Sequence, residues 1–341
     1  MISVIEKFST TCCLLLLGLL MQGQDIHFSQ FLSSPLNLNP ALCGSYEGDL
    51  RLCLNHKGQW QSFANAYSTF SASFDANLKA PFVRKSRTGL GILLNSDKSG
   101  DGNLSTNQVK LNFSWNQPLT RDSSIYLAAG VNAGFTNHGV DVTLLHFGSQ
   151  YIDGQFNPDA PTNEYFNATS ISYFDYSAGI NLGYIANANV LYHIGFSLQH
   201  INEPEKSFNQ NEHIVLQRKF VYHAGCEWNV KDNLYIDPFL LFMHQGPYIE
   251  SDLGAIVRIA YNPLGLKYVF TGISMRTLDA GILMLGANYQ NIRLTLSYDI
   301  NLSKLSNISY GRGGIELSLI YIYQKPRPFK PPYYRKCPEF M

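Results

Sequence analysis

Two stretches near the end of the chain alternate strictly between apolar and polar side chains. In the first, Ile292, Leu294, Leu296, Tyr298 and Ile300 take one parity, and Arg293, Thr295, Ser297, Asp299 and Asn301 take the other. After a glycine-rich break at Gly311, Gly313 and Gly314, the pattern resumes with Ile315, Leu317, Leu319, Tyr321 and Tyr323 against Glu316, Ser318 and Ile320. Successive side chains of a strand point to opposite faces, so each stretch has one greasy face and one wet face. Each runs for about ten residues, nearly twice the common globular strand and enough to cross an outer membrane at a tilt. Such stretches recur down the chain, the signature of an all-β transmembrane antiparallel barrel.

Fourteen segments of period two can be placed, at 50–58, 67–77, 88–96, 105–116, 124–135, 173–185, 190–200, 218–229, 234–243, 251–260, 266–275, 280–288, 291–300 and 314–323. The segments at 234–243, 266–275 and 280–288 alternate less sharply than the others. An even count puts both chain ends on one side of the membrane. With the N-terminus in the periplasm, connections after odd strands face outward. Those at 136–172, 201–217 and 301–313 are long and polar, whereas the opposite connections at 186–189, 230–233 and 261–265 are short. Two connections, 78–87 and 276–279, break that trend.

Residues 1–23 read as a signal peptide, with Lys7 offset by Glu6 and an apolar run from Cys12 to Met21. That run is too short to span a bilayer as a helix. Residues 24–49, rich in Asn, Pro and Ser, form an expected periplasmic N-terminal segment outside the barrel of 50–323. Residues 324–341, with Pro326, Pro328, Pro331 and Pro332, form an expected proline-rich periplasmic tail, since proline at that density cannot continue a sheet ladder. Charged residues make up only 15% of the chain, against roughly 25% in soluble domains. The 21 tyrosines and 21 phenylalanines suit a lipid-facing surface with aromatic rims. With 25 basic and 25 acidic residues, no global field favours nucleic acid.

The chemistry-bearing residues point to no reaction. Cys43, Cys53, Cys226 and Cys337 lack zinc spacing. Cys43 and Cys53 either pair as a disulfide or remain thiols, and Cys226 takes a lipid-facing parity. His193 and His223 take lumen parity on neighbouring strands, where Ser197, Glu227 and Asp175 could approach them. A hydrolase needs nucleophile, base and orienting group in hydrogen-bond sequence, and a polar barrel lining is the preferred reading. The loop from Lys98 to Asn103 lacks the later ligands of a calcium loop. No catalytic, cofactor-binding or metal-ligating residue is therefore assigned. Glu316, Arg293 and Asp299 share lumen parity and are expected to pair with one another or with facing charges, because buried charges are costly unpaired.

Motif by motif, the chain also resembles a known family. Asp25-Ile26-His27-Phe28-Ser29-Gln30-Phe31, followed by Ser34-Pro35-Leu36-Asn37-Leu38-Asn39-Pro40-Ala41 and Gly44, resembles the opening of the PorP/SprF family of type IX secretion outer-membrane proteins of Bacteroidetes. Further matches run in order: Arg51 to Trp60, Gly89 to Gly102, Tyr173 to Gly179, Leu296 to Asn307, and the closing Gly313 to Leu319. The two cysteines in the opening motifs and the proline-rich tail depart from the family pattern. The resemblance implies a barrel without cofactor in the Gram-negative outer membrane. It further implies support for export or surface attachment of secreted proteins such as gliding adhesins, and contact with periplasmic secretion components. Phe28, Ser29, Gln30, Asn39, Pro40 and Gly44 carry the opening motif, either to seat the N-terminus against the barrel or to bind a partner. The alternative role is a passive porin or solute channel, unless 24–49 or 136–172 plugs the lumen. A barrel hydrolase using His193 or His223 is the third reading.

Overall fold

The computed structural model describes residues 25–59, 67–79, 85–152, 155–162, 164, 168–208, 213–261, 265–303 and 311–326. The expected signal peptide and the tail beyond Pro326 lie outside the described residues. The strands are β1 (Leu50–Gln59), β2 (Tyr67–Lys79), β3 (Arg87–Ser99), β4 (Leu104–Pro118), β5 (Ile125–Gly139), β6 (Tyr151–Ile152), β7 (Gln155–Phe156) and β8 (Ser170–Asn187). They continue with β9 (Val190–Gln199), β10 (Lys219–Lys231), β11 (Leu234–Gln245), β12 (Tyr248–Ala260), β13 (Leu266–Arg276), β14 (Ala280–Tyr289), β15 (Ile292–Asn301) and β16 (Arg312–Tyr323). Fourteen of them close into one antiparallel barrel in which β5 pairs β8 and β1 pairs β16, while β6 and β7 form a separate hairpin. All fourteen expected strands are present.

The burial pattern is that of a soluble protein turned inside out. Leu111, Ile273, Leu285 and Phe174 are more than 60% exposed on the outer surface, whereas Asp75, Ser114, Asp175 and Ser197 are wholly buried inside. Alternating strands with such an exterior belong in lipid, where the closed ring leaves no unpaired edge. The strands that alternate poorly have a specific reason. On β11, Phe239, Leu241 and Met243 face inward; on β14, Ile282 and Met284 do so, and Val221 joins them from β10. Both faces of these strands are apolar because the lumen beside them is filled with protein.

The filling is the segment before β1, expected outside the barrel. Residues 25–49 instead run through the lumen as three short turns, Phe31–Ser33, Pro35–Leu38 and Pro40–Leu42. Pro35 and Pro40 open the second and third turns, where the missing proline N–H costs nothing. Long connections (140–169, 200–218 and 302–311) mark one end of the barrel, the loop end, and short ones (188–189, 232–233 and 290–291) mark the turn end. Asp25 lies at the loop end, its backbone N–H 3.4 Å from the Gln245 side chain that closes β11. Asp49 lies at the turn end, donating from its N–H to the Tyr323 carbonyl at 2.9 Å. The segment therefore crosses the barrel from end to end. Its Phe31 and Leu38 bury themselves in the apolar half of the wall, and Phe31 meets Phe239 edge-to-face at 5.4 Å.

A lipid-facing surface predicts a one-sided response to charge. Leu296→Arg, on the outer face of β15, should destabilise the barrel by about 2–4 kcal/mol if it falls near the midplane. The change is read as a lower urea midpoint for the fast-migrating unheated form on gels; an unchanged midpoint would argue for a water-facing exterior.

Candidate functional site

The interface between the N-terminal segment and the inner wall is built first at Ser29 and Gln30. The Glu316 carboxylate accepts both successive backbone N–H groups, from Ser29 at 2.8 Å and Gln30 at 3.1 Å. The Gln30 amide then copies a strand rung: its Nε2 donates to the Glu316 carbonyl at 2.8 Å and to Ser297 Oγ at 2.9 Å, and its Oε1 accepts from Ser318 at 2.6 Å. The Ser29 hydroxyl donates to Asp299 at 2.6 Å while accepting from Arg276 at 2.6 Å and Lys57 at 3.2 Å. Arg276 also pairs Asp299 at 3.1 Å and Asp279 at 2.8 Å. Charges this deep persist only when so partnered.

Further along, Asn37 donates to Ser71 and Asn95, and Asn95 donates back to the Asn37 oxygen at 2.8 Å. Asn39 is wholly buried. Its oxygen caps the Pro40–Leu42 turn by accepting from the Ala41 N–H at 2.9 Å, and its Nδ2 donates to the Ile180 carbonyl at 2.9 Å. Ser197 and Gln199 donate to the Leu38 and Asn37 carbonyls, each at 2.9 Å. At the turn end, Asp75 accepts from the Gly44 N–H at 2.7 Å and holds Arg51 through both oxygens at 2.9 and 2.8 Å. The segment thus satisfies its backbone on wall side chains, as buried polar groups require.

Glycines on the inner wall make room for it. A Cβ on Gly130 would lie 2.5 Å from the Ala41 nitrogen, and one on Gly91 would lie 3.1 Å from Cys43 Sγ. Gly44 passes 2.6 Å (from its would-be Cβ) above the Gly89 Cα in a left-handed conformation, φ +64°, which side chains resist.

The loop end closes with a charged latch. The His200 ring faces Asp175 at 3.0 Å and Asp25 at 3.1 Å, and Lys110 pairs the other Asp175 oxygen at 2.8 Å. Burial opposes a charge on His200, but hydrogen bonds from its two ring nitrogens to Asp175 and Asp25 outweigh burial and raise its pKa. Burial likewise opposes the Asp25 carboxylate, yet His200 and Lys219 hold its pKa well below the usual range. His27 stays neutral, pushed down by burial to about 4 despite Glu250. Above this latch a vestibule of about 560 Å³ opens at the loop end, lined by Lys57, Asp97, Tyr173, Lys206, Glu250 and Arg276.

The motif residues Phe28, Ser29, Gln30, Asn39, Pro40 and Gly44 all lie on this segment, and all six are buried. The histidines are placed differently from a catalytic relay. His193 and His223 rings are 6.3 Å apart, and Asn39 Nδ2 lies 3.1 Å from His223 Nε2. Asp175 is engaged by His200 and Lys110 instead. Cys43 and Cys53 are both free thiols: Cys43 is turned toward β3 and β4, while Cys53 sits on β1 opposite Ser73. Of the three charges expected to pair, Asp299 and Glu316 are held by the segment and by Arg276, and Arg293 is not among their partners. Sequence reasoning missed Arg276, Lys57, Asp75 and His200; charge on lumen parity was the available signal for the first three.

The family profile described as type IX secretion system membrane protein PorP/SprF matches residues 20–321. No curated protein matches the chain. The toluene transporter TbuX of Ralstonia pickettii superposes with a TM-score of 0.50 at 10% identity, covering 85% of this chain and 92% of that one. The monoaromatic hydrocarbon channel CymD gives 0.50 at 11% identity, covering 86% and 93%. At such identity these likenesses concern the barrel fold alone.

Two measurements probe the seating. Glu316→Ala strands two buried amides at about 1–3 kcal/mol each, so labelling of Cys43 by maleimide in detergent, followed by peptide mass, should quicken about tenfold or more; unchanged protection would separate Glu316 from the seating. The latch has a defined pH window. His200, with a raised folded pKa, contributes fully below its ordinary 6.5 and loses its contribution as pH rises through the elevated value. Asp25, with a lowered one, contributes above its ordinary 3.8 and fades as pH falls through the depressed value. Hydrogen exchange at Ile26 and His27, corrected for intrinsic rate, should therefore show protection that drops on the alkaline side, and His200→Gln should abolish that drop.

Proposed function

The chain belongs to the PorP/SprF family of type IX secretion system membrane proteins, and from that premise we propose that this outer-membrane barrel supports the export or surface attachment of specific secreted proteins. The reading makes it non-enzymatic. Its loop end faces outward, and the vestibule there receives the cargo, adhesins of gliding cells among the candidates. The turn end faces the periplasm, where the proline-rich tail is available to secretion components.

One observation carries this reading over a solute channel: the lumen is occupied from Asp25 to Asp49 by wall-bonded backbone. A channel would need that seating undone, whereas a docking platform uses it as a rigid floor. The second reading is a passive porin or solute channel, and the likeness to a toluene transporter and a hydrocarbon channel is one of barrel architecture.

The two diverge in the cell. Deleting the gene should strip particular large proteins from the surface, read by surface proteomics, with small-solute uptake unchanged. Purified wild-type barrel should conduct little in planar bilayers, and Glu316→Ala should conduct more. An intact surface proteome with impaired solute uptake would favour the channel.

A further inference from the structure

A second space lies on the turn-end side of Ser29–Ser33, away from the vestibule. It holds about 220 Å³, walled by Phe31 and Leu32 of the segment and by Phe239, Ile256, Phe270 and Met284 of the barrel. Its polar rim carries Glu227, Asp237, Arg258 and Arg293, all near the turn ends of their strands.

Two features distinguish it from a packing gap. Leu32 is 39% exposed although its neighbours Phe31 and Ser33 are buried, so an apolar side chain of the segment borders open space. The two arginines also differ. Arg258 Nη2 donates to Glu227 at 3.1 Å and to Asp237 at 2.8 Å, and its guanidinium lies over the Tyr235 and Tyr268 rings at 5.0 and 5.4 Å. Arg293 is half-buried, and its guanidinium lies over the Phe270 ring at 5.9 Å. Both carboxylates of the rim are thus bonded directly to Arg258, and Arg293 feels them only through space, with no direct anionic partner among the described residues. An unpaired guanidinium withdrawn from water is costly, and pairing it relieves the cost.

We propose that this cavity binds a small amphiphilic monocarboxylate, its apolar body against Leu32, Phe270 and Met284 and its carboxylate on Arg293. A guanidinium fork suits a planar carboxylate better than it suits a point charge. Glu227 and Asp237 repel any added anion in proportion to its charge, so one negative charge on Arg293 is accommodated better than two. An apolar cavity of about 150 Å³ holds benzene, so this one takes a phenyl ring with a short linker or an acyl chain of comparable bulk. The proposal is independent of the cargo role, which concerns the opposite end of the barrel.

Titration calorimetry of the detergent-folded full chain with 4-phenylbutyrate tests it, with 4-phenylbutanol as the uncharged control. Saturable one-to-one binding of the acid is expected, weakened about tenfold or more by Arg293→Gln and weaker by a similar factor for the alcohol. Leu32→Trp, which fills the space and keeps the arginine, should abolish binding of both. Cys43 protection from maleimide verifies that each variant keeps its segment seated. The proposal is overturned if the acid shows only non-saturating micelle partition, if acid and alcohol bind equally, or if Arg293→Gln with a seated segment binds as wild type.

Discussion

One carboxylate taking two successive backbone amides deep inside a lipid-facing cylinder sets the terms for everything around it. Glu316 holds Ser29 and Gln30 in that way, which fixes the segment against β16 and aligns the Gln30 amide with Ser297 and Ser318. Ser29 then completes the coordination of Arg276, Lys57 and Asp299. A barrel interior lined with such groups would otherwise have to hold water. Here it holds the chain itself, and the wall's inward polar residues double as the hydrogen-bonding partners that a turn-rich segment lacks within itself.

The lumen divides by chemistry. On β1, β2, β15 and β16 the inward residues are Asn55, Lys57, Ser71, Asp75, Asp299 and Glu316, all buried. On β10, β11 and β14 they include Val221, Phe239, Leu241, Met243, Ile282 and Met284, with Lys219 and His223 of β10 the polar members. The segment is amphipathic to match, presenting Phe31 and Leu38 to one side and Ser29, Gln30 and Asn37 to the other. Directional bonds give register and the apolar side contributes burial, which together specify one seating better than either would alone.

Most of the wall was legible in the sequence because membrane and lumen impose period two on every strand. The boundaries moved by only a few residues, and the ring closes in the expected order. The blurred alternation at 234–243 and 280–288 was itself the signal of a filled lumen, since Phe239, Leu241 and Ile282 are inward apolar residues packed with Phe31 and Leu38 of the segment, while Phe270 in 266–275 walls the apolar cavity beside it. The path of residues 25–49 left no periodicity, because one-turn helices broken by Pro35 and Pro40 have none. Glycines in strand interiors, such as Gly91 and Gly130, mark where another backbone or side chain comes close, and they lie under Cys43 and Ala41. Arg293 was grouped with Asp299 by parity alone. Six residues along one strand is about 20 Å, beyond any ion pair, and the register sets Arg293 opposite Ile320 instead.

The seat of residues 25–49 inside the wall is tested most directly by cross-linking in intact outer membranes. Gln30 Nε2 lies 2.9 Å from Ser297 Oγ, so a Gln30→Cys, Ser297→Cys pair should be joined within one chain by a short thiol-reactive bridge while resisting bulky maleimides. Free labelling of both cysteines with no intramolecular bridge would mean that the segment lies elsewhere and the interior is empty.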